Sequence, residues 1–450
     1  MTTLELQEEL SQLYTSNASQ IAEGTGSHIN ELRPRAFEDF KRLGIPSKKN
    51  ENYRYTDLMS YLQGDYSYEI APAKFSVKLE DLFRCDVPEL NTHIILVLNG
   101  FFYNYSEIEP LPKGVIISSF AEASIKYPEL VNKHYAQYAD TSLDSLAALN
   151  TLFAQDGIFI YIPKNTRIEK PIQIINIGFS LKNLRITRRN LIVAEEGSQS
   201  SILVCDHTLS KRSFITNSLT EIYLGKNAKM EYPRMQNENG NSSQISNTFV
   251  HQEAYSTFTS NTISLHGGLI RNNLFAKLNG ESATNNTYSI FFCDDQQHVA
   301  TFTFIHHAKP NCQSDQLIKG ILDGEATGAF NGKILVDKYA TKTLAYQRNN
   351  NILLSKTARM NTKPQLEIYN DDVKCSHGAT VGQIDAEGLF YLRSRGIGYK
   401  EARHLMMYAF ANEVMNKITL EPLKERMNEM VDKRLRGELS KCENCNIHKL

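Results

Sequence analysis

The sequence predicts a mainly β protein with helical regions at both ends, and the prediction rests on one long tract and its two flanks. From Gly157 to about Val381, short runs such as "IFIYIP", "NLIVAEEG", "SILVC", "NTISLHGG", "ATFTFIHH" and "PQLEIY" alternate with turns rich in Gly and Asn, and almost no helical pattern interrupts them. In the flanks, apolar residues fall at helical spacing instead. Short strands over so long a tract mean a sandwich, barrel, propeller or β-solenoid. The elements "EEGSQSSI", "LGKNAKME" and "LDGEATGAF" hint at stacked coils opened by a turn, although the repeat is too loose to decide. In a solenoid each coil contacts only its neighbours, so residues distant in sequence can line one surface.

Taken in order, residues 1 to about 60 read as helical. "LELQEELSQLY" spaces its leucines and tyrosine at helical intervals, and "ELRPRAFEDFKRLGIP" ends on Gly44 and Pro46 as stop signals. "NENYRYTDL" follows, and "HIILVLNG" is a strand in an otherwise mixed segment. "SLDSLAALNTLFAQDG" gives a helix with Ser142 as cap and Gly157 as stop. After the β tract, "DAEGLFYLRSRG" is a helix capped by Asp385 and stopped at Gly396. The next helix places Ala402, Leu405, Met406, Ala409 and Phe410 on one apolar stripe, and a charged helix "EPLKERMNEMVDKRLRG" follows it. These readings divide the chain into an N-terminal helical and mixed region (1–140), a β core (141–382) and a C-terminal helical region (383–450).

At 450 residues the chain can bury a large core. Its 49 basic and 50 acidic residues nearly cancel, so net charge recommends neither nucleic acid nor an anionic membrane as partner. The acidic start "MTTLELQEEL" lacks the pattern of a secretory signal. "IILVL" falls far short of the roughly 20 apolar residues that span a bilayer. Seven scattered cysteines suit a reducing compartment, so the expectation is a soluble cytoplasmic protein whose important cysteines are thiols or ligands.

The densest chemical cluster is "DDVKCSHGATVG", residues 371–382. Asp371 and Asp372 would suit an acid–base pair, but neighbours on a strand point to opposite faces, and after "LEIY" they read as the start of a turn. Cys375 and His377 are i and i+2, which on an extended backbone share a face. A thiolate beside an imidazole is a soft pair for iron, zinc or copper. A tetrahedral metal wants four ligands, so a partner chain is the natural source of the others. The plain alternative is a buried thiol beside a turn histidine. A Cys–His nucleophile lacks an identifiable orienting acid.

Other motifs carry less. "GAFNGKI" imitates a phosphate loop but has too few residues between its glycines, and Ile334 stands where Ser or Thr must hold magnesium. Cys442, Cys445 and His448 of the tail are spaced like ligands without a second pair, and read as a solvated terminus. His306 and His307 are adjacent, so only one can face a given surface, and both read as structural or exposed.

Several segments in this order carry a likeness: "NENYRYTDL", "LNTLFAQDGIFIYIPKNTRIEKPIQI", "HHAKPNCQSDQLIKGIL", "GAFNGKILVDKYATKTLAYQRNNNILLS", "NTKPQLEIYNDDVKCSHGATVG" and "LFYLRSRGI". Together they resemble the SufB/SufD family of iron-sulfur cluster assembly proteins across nearly the whole chain. "CSHGATVG" resembles the SufD branch, because the SufB branch has a His-Glu-Ala element there.

The resemblance implies a right-handed parallel β-helix core flanked by N-terminal and C-terminal α-helical regions. It implies a non-catalytic scaffold that pairs with a SufB-like protein through the β-helix and with a SufC-like ATPase through the C-terminal helices. A transient iron-sulfur cluster would form at the interface with the SufB-like partner, with His377 as a ligand opposite a cysteine of that partner and Cys375 close by. "LRSRGI", with Arg393, Arg395 and Gly396, would contact the ATPase; Arg393 and Arg395 do not share a helix face. The family is also linked to reduced flavin, for which the sequence shows no binding fingerprint. Pairing with a second copy when SufB is absent stays open. So do two other classes: a polysaccharide-active β-helix enzyme and a self-contained metalloprotein.

Overall fold

The computed structural model describes residues 2–72, 91–103 and 110–438. The expectations for Cys442, Cys445 and His448 fall outside these residues.

Among the described residues twenty strands form two ten-stranded sheets. From Ile158–Ile162 onward, successive strands alternate between the sheets, and each pairs in parallel with the strand one coil away. The antiparallel pairs lie at the N-terminal end, His93–Leu98 against Phe101–Tyr103 and Ile116–Ser119 against Ile158–Ile162. The result is a parallel β-solenoid of about eight turns, flanked by helices at both ends of the chain: of the four β architectures the sequence leaves open it is the solenoid, as the family resemblance implies.

A column of turns keeps the coils in step. Asn165, Gly197, Asn227, Tyr255, Ser282, Asn311 and Lys342 all have φ between +53° and +68°. Each donates its N–H to a carbonyl in the turn above: Asn165 to Glu196, Gly197 to Lys226, Asn227 to Ala254, and so on to Lys342 and Asp372. Gly and Asn adopt this left-handed geometry readily, whereas Tyr255 and Lys342 do so at a steric cost. Only part of the column therefore shows as a Gly or Asn signal, which explains the looseness of the sequence repeat.

Inside the first coils the lumen is apolar, packed by Ile158, Ile160, Ile172, Ile174, Ile192, Ile202 and Ile222. Further along it turns polar, with Asp206 3.1 Å from Arg188 and 2.7 Å from Arg234. The same strands bury their outward faces beneath helices. Arg189 pairs there with Glu221, both fully buried, and lies 4.5 Å from the Tyr135 ring centroid. Arg33, on the helix Ser27–Leu43, donates to the carbonyls of Thr151, Leu152 and Ala154. A buried cation thus satisfies the otherwise orphaned C-terminal carbonyls of the helix Ser145–Phe153.

Two helix details differ from the sequence reading. Asp144, not Ser142, caps the helix Ser145–Phe153, accepting from Leu146 and Ala147, while Ser142 bonds to Asp140. On the helix Tyr399–Met415 the buried face carries Ala402, Met407, Ala411, Val414 and Met415, while Leu405 and Ala409 are exposed. The face is rotated because this helix packs with Glu421–Arg436 on the outer side of the second sheet, against Leu203, Ile263, Ile290 and Ile321.

Candidate functional site

The last coil consists of Arg359–Ile368 and Val373–Gly382, joined by a turn at Asn370–Asp372. Asp372 sits in this turn, where its carbonyl accepts from Lys342, so the acidic doublet serves the turn column. Among the described residues each of these strands is the terminal member of its sheet and is paired on one side alone. The other edge of each offers free backbone donors and acceptors, the condition under which sheets recruit another strand.

Alternation then decides which side chains face inward. On Thr343–Leu353 the buried positions are Thr343, Ala345, Gln347, Asn349 and Asn351. Their ladder partners are Val373, Cys375, His377, Ala379 and Val381. Cys375 and His377 therefore share the inward face, as their spacing predicts. Cys375 is half-buried against Leu366, Val336 and Ala345, and burial raises its thiol pKa above the ordinary value. His377, one step nearer the mouth, is exposed. Gly378 and Gly382 have open space where a β-carbon would lie. Tyr339, Tyr346, Ile368, Tyr369 and Val381 are exposed around this open end.

The next helix, Ala386–Ser394, buries none of its residues. Phe390 is 73% exposed, Tyr391 57% and Tyr399 52%, so this is a bare aromatic patch. Arg393 lies 5.8 Å from the Tyr399 ring centroid, and Arg395, just past the helix, lies 5.2 Å from that of Tyr391. Both arginines are exposed, and Gly396 makes the stop with φ +86°.

The remaining motifs resolve into structure. "GAFNGKI" lies within the strand Thr327–Val336 and forms no loop. His307 is buried with Nε2 2.9 Å from Ser314, and burial lowers its pKa to about 3, so it is neutral. His306 faces outward, 3.0 Å from Asp337. "NENYRYTDL" is a strap. Arg271 lies 3.8 Å from the Tyr53 ring centroid and donates to the Asn52 carbonyl and Thr56, while Thr56 Oγ1 is 3.0 Å from His298 Nε2. Among the described residues no group of three or more His, Cys, Asp or Glu could hold a metal ion. No helix of the described residues is long and apolar enough to cross a membrane.

Residues 179–410 match the model of the SUF system FeS cluster assembly SufBD core domain. The chain belongs to the SufBD family. Residues 4–174 match the SufBD protein N-terminal region, so the family models extend over the N-terminal helices as well. Among curated SufBD relatives, an iron-sulfur cluster assembly SufBD family protein of Synechocystis sp. is 31% identical over 399 residues, covering 86% of this chain and 87% of its own. The iron-sulfur cluster assembly protein SufD of Escherichia coli is 29% identical over 439 residues, covering 94% and 98%. SufD of Bacillus subtilis is 27% identical over 333 residues, covering 72% and 75%.

One residue of the site escapes a linear reading. Gln347 lies directly beneath His377 in the ladder and is fully buried. The signal that finds it is the coil length of about 30 residues, visible in Thr343 facing Val373, which a loose repeat hides.

Proposed function

We propose that this SufBD protein is a non-catalytic scaffold subunit that helps build an iron-sulfur cluster at an interface with a SufB-like partner. The observation that carries the reading is the open last coil: a strand edge free to pair, with Cys375 and His377 facing inward at its mouth. The cluster is cargo here. Imidazole binds metal through a neutral nitrogen, and thiol binds it as thiolate. His377 is exposed and accessible, so it is the ligand this chain supplies. Burial disfavours ionisation of Cys375 until a metal compensates, so Cys375 acts as support. One ligand from this chain leaves the other coordination positions to the partner.

The aromatic patch on Ala386–Ser394, with Arg393 and Arg395, is the dock for a SufC-like ATPase. Bare aromatic and arginine side chains are the usual energetic centres of protein interfaces. An arrangement with these partners in the cytoplasm fits the balanced charge, and a second copy could replace the SufB-like partner at the same free edges. Co-expression with the SufB-like and SufC-like proteins, followed by anaerobic purification, tests the docking. A Phe390→Ser/Tyr391→Ser variant is expected to lose the ATPase and keep the SufB-like protein; retention of the ATPase would contradict the assignment.

A further inference from the structure

The polar part of the lumen leads toward His377. Ser260, Thr287, Gln316, Gln347 and His377 occupy one ladder position on successive strands of the second sheet. From the opposite sheet, Thr303 Oγ1 donates to Gln316 Oε1 at 2.7 Å. At the Ser260 and Thr287 end of this ladder, without reaching Gln347 or His377, lies a cavity of about 50 Å³, lined largely by serine and threonine, with Thr303 among them. That is room enough for water. At the far end Gln347 is fully buried, yet among the described residues neither its Oε1 nor its Nε2 has a hydrogen-bond partner, and Gln316 Nε2 is likewise unpartnered. Opposite Gln347, Gly332 carries no side chain, and a β-carbon there would collide with the Gln347 amide nitrogen. A dry, buried amide is strongly unfavourable, and proteins meet such groups with ordered water.

We infer that Gln347 holds an ordered water beneath His377, and that this water fixes which ring nitrogen of His377 carries the proton. A neutral imidazole donates from one nitrogen and offers a lone pair from the other, and a hydrogen bond at one selects the tautomer. With the inward nitrogen engaged by the held water, the outward nitrogen presents its lone pair to the group across the open end. Gln347 is a positioning residue; it acts through His377 and does not itself touch the cargo. Its functional meaning rests on the reading of His377 as a cluster ligand, but the hydrogen-bond assignment does not.

The test uses the full-length chain labelled with ring-¹⁵N histidine, at a pH above the imidazole titration, with the His377 signals assigned from their loss in His377→Ala. Two-bond ¹H–¹⁵N correlation is expected to show one tautomer in clear excess over the mixture of a solvent-exposed imidazole. In Gln347→Met, which matches shape without hydrogen bonding, the ratio is expected to shift at least about twofold toward that mixture, with an unchanged circular dichroism spectrum. A wild-type ratio equal to that of free imidazole overturns the inference, even if the variant fails to fold. So does a folded Gln347→Met with the wild-type ratio. Because the readout needs neither cluster nor partner, its failure is distinct from retention of the cluster by His377→Ala.

Discussion

The middle coils and the last coil are built from the same strand unit and differ in what covers them. In the middle, Arg189 and Glu221 are sealed beneath helices, and Glu221 also accepts from the backbone of Ala136, Tyr138 and Ala139. Inside the same coils, Asp206 is held by Arg188 and Arg234, which bring its pKa down to about 2 against the opposing effect of burial. In the last coil the ladder stops. Among the described residues its edge is unpaired, and His377 is exposed. Charges in the middle are therefore committed to holding the fold, while polar groups at the end are free for another molecule.

The comparison breaks if charge removal is harmless in the middle or costly at the end. Arg189→Leu leaves Glu221 buried without its counter-charge, which costs about 3–5 kcal/mol. His377→Ala, at an exposed site, is expected to change stability by less than about 0.5 kcal/mol. Urea unfolding of the two variants beside wild type measures both, and equal losses would erase the distinction.

Glu238 sharpens it on the side of the middle coils. Burial, with a smaller push from Asp206, raises its pKa to about 8. The folded carboxyl then keeps its proton where the unfolded one has released it, so stability falls as pH rises from the ordinary glutamate range, near 4.5, to about 8. Glu238→Gln removes that dependence and is expected to match wild type near pH 4 and exceed it by roughly 4 kcal/mol at pH 8. Parallel stability–pH curves for the two proteins would count against a buried, proton-holding Glu238.

At the open end the expected effects are on association. Val381→Asp places a charge on the exposed inward face of the last strand. The isolated variant is expected to unfold within about 0.5 kcal/mol of wild type and to lose the SufB-like protein on co-purification. Undiminished co-purification would move the interface elsewhere. The smallest effect concerns Cys375. Its raised pKa predicts slow alkylation near neutral pH, with the rate still climbing where an ordinary thiol has levelled off. Cys205, Cys293 and Cys312, all buried, are expected to stay unmodified in the folded chain. Peptide mass mapping at several pH values reads all four.

Much of this was legible in the sequence, for identifiable reasons. Strand alternation put Cys375 and His377 on one face, and Asp385 and Gly396 marked the bare helix through local capping chemistry that depends on no distant residue. The coil period was not legible, because Tyr255, Ser282 and Lys342 occupy turn positions that Gly or Asn would have advertised. The stripe on Tyr399–Met415 was misplaced because its burial is set by the sheet beneath it and by Lys319, whose ammonium reaches the Phe410 carbonyl. Gln347 was hidden for a related reason: its role comes from the ladder neighbour, not from any motif around it.

The central claim is that His377 at the open end is a ligand for the cluster being assembled. Iron and acid-labile sulfide in the anaerobically purified complex with the SufB-like and SufC-like partners, wild type against His377→Ala, test it most directly. The account predicts an intact assembly that has lost its cluster; an intact assembly with unchanged iron and sulfide would return "CSHG" to a structural turn.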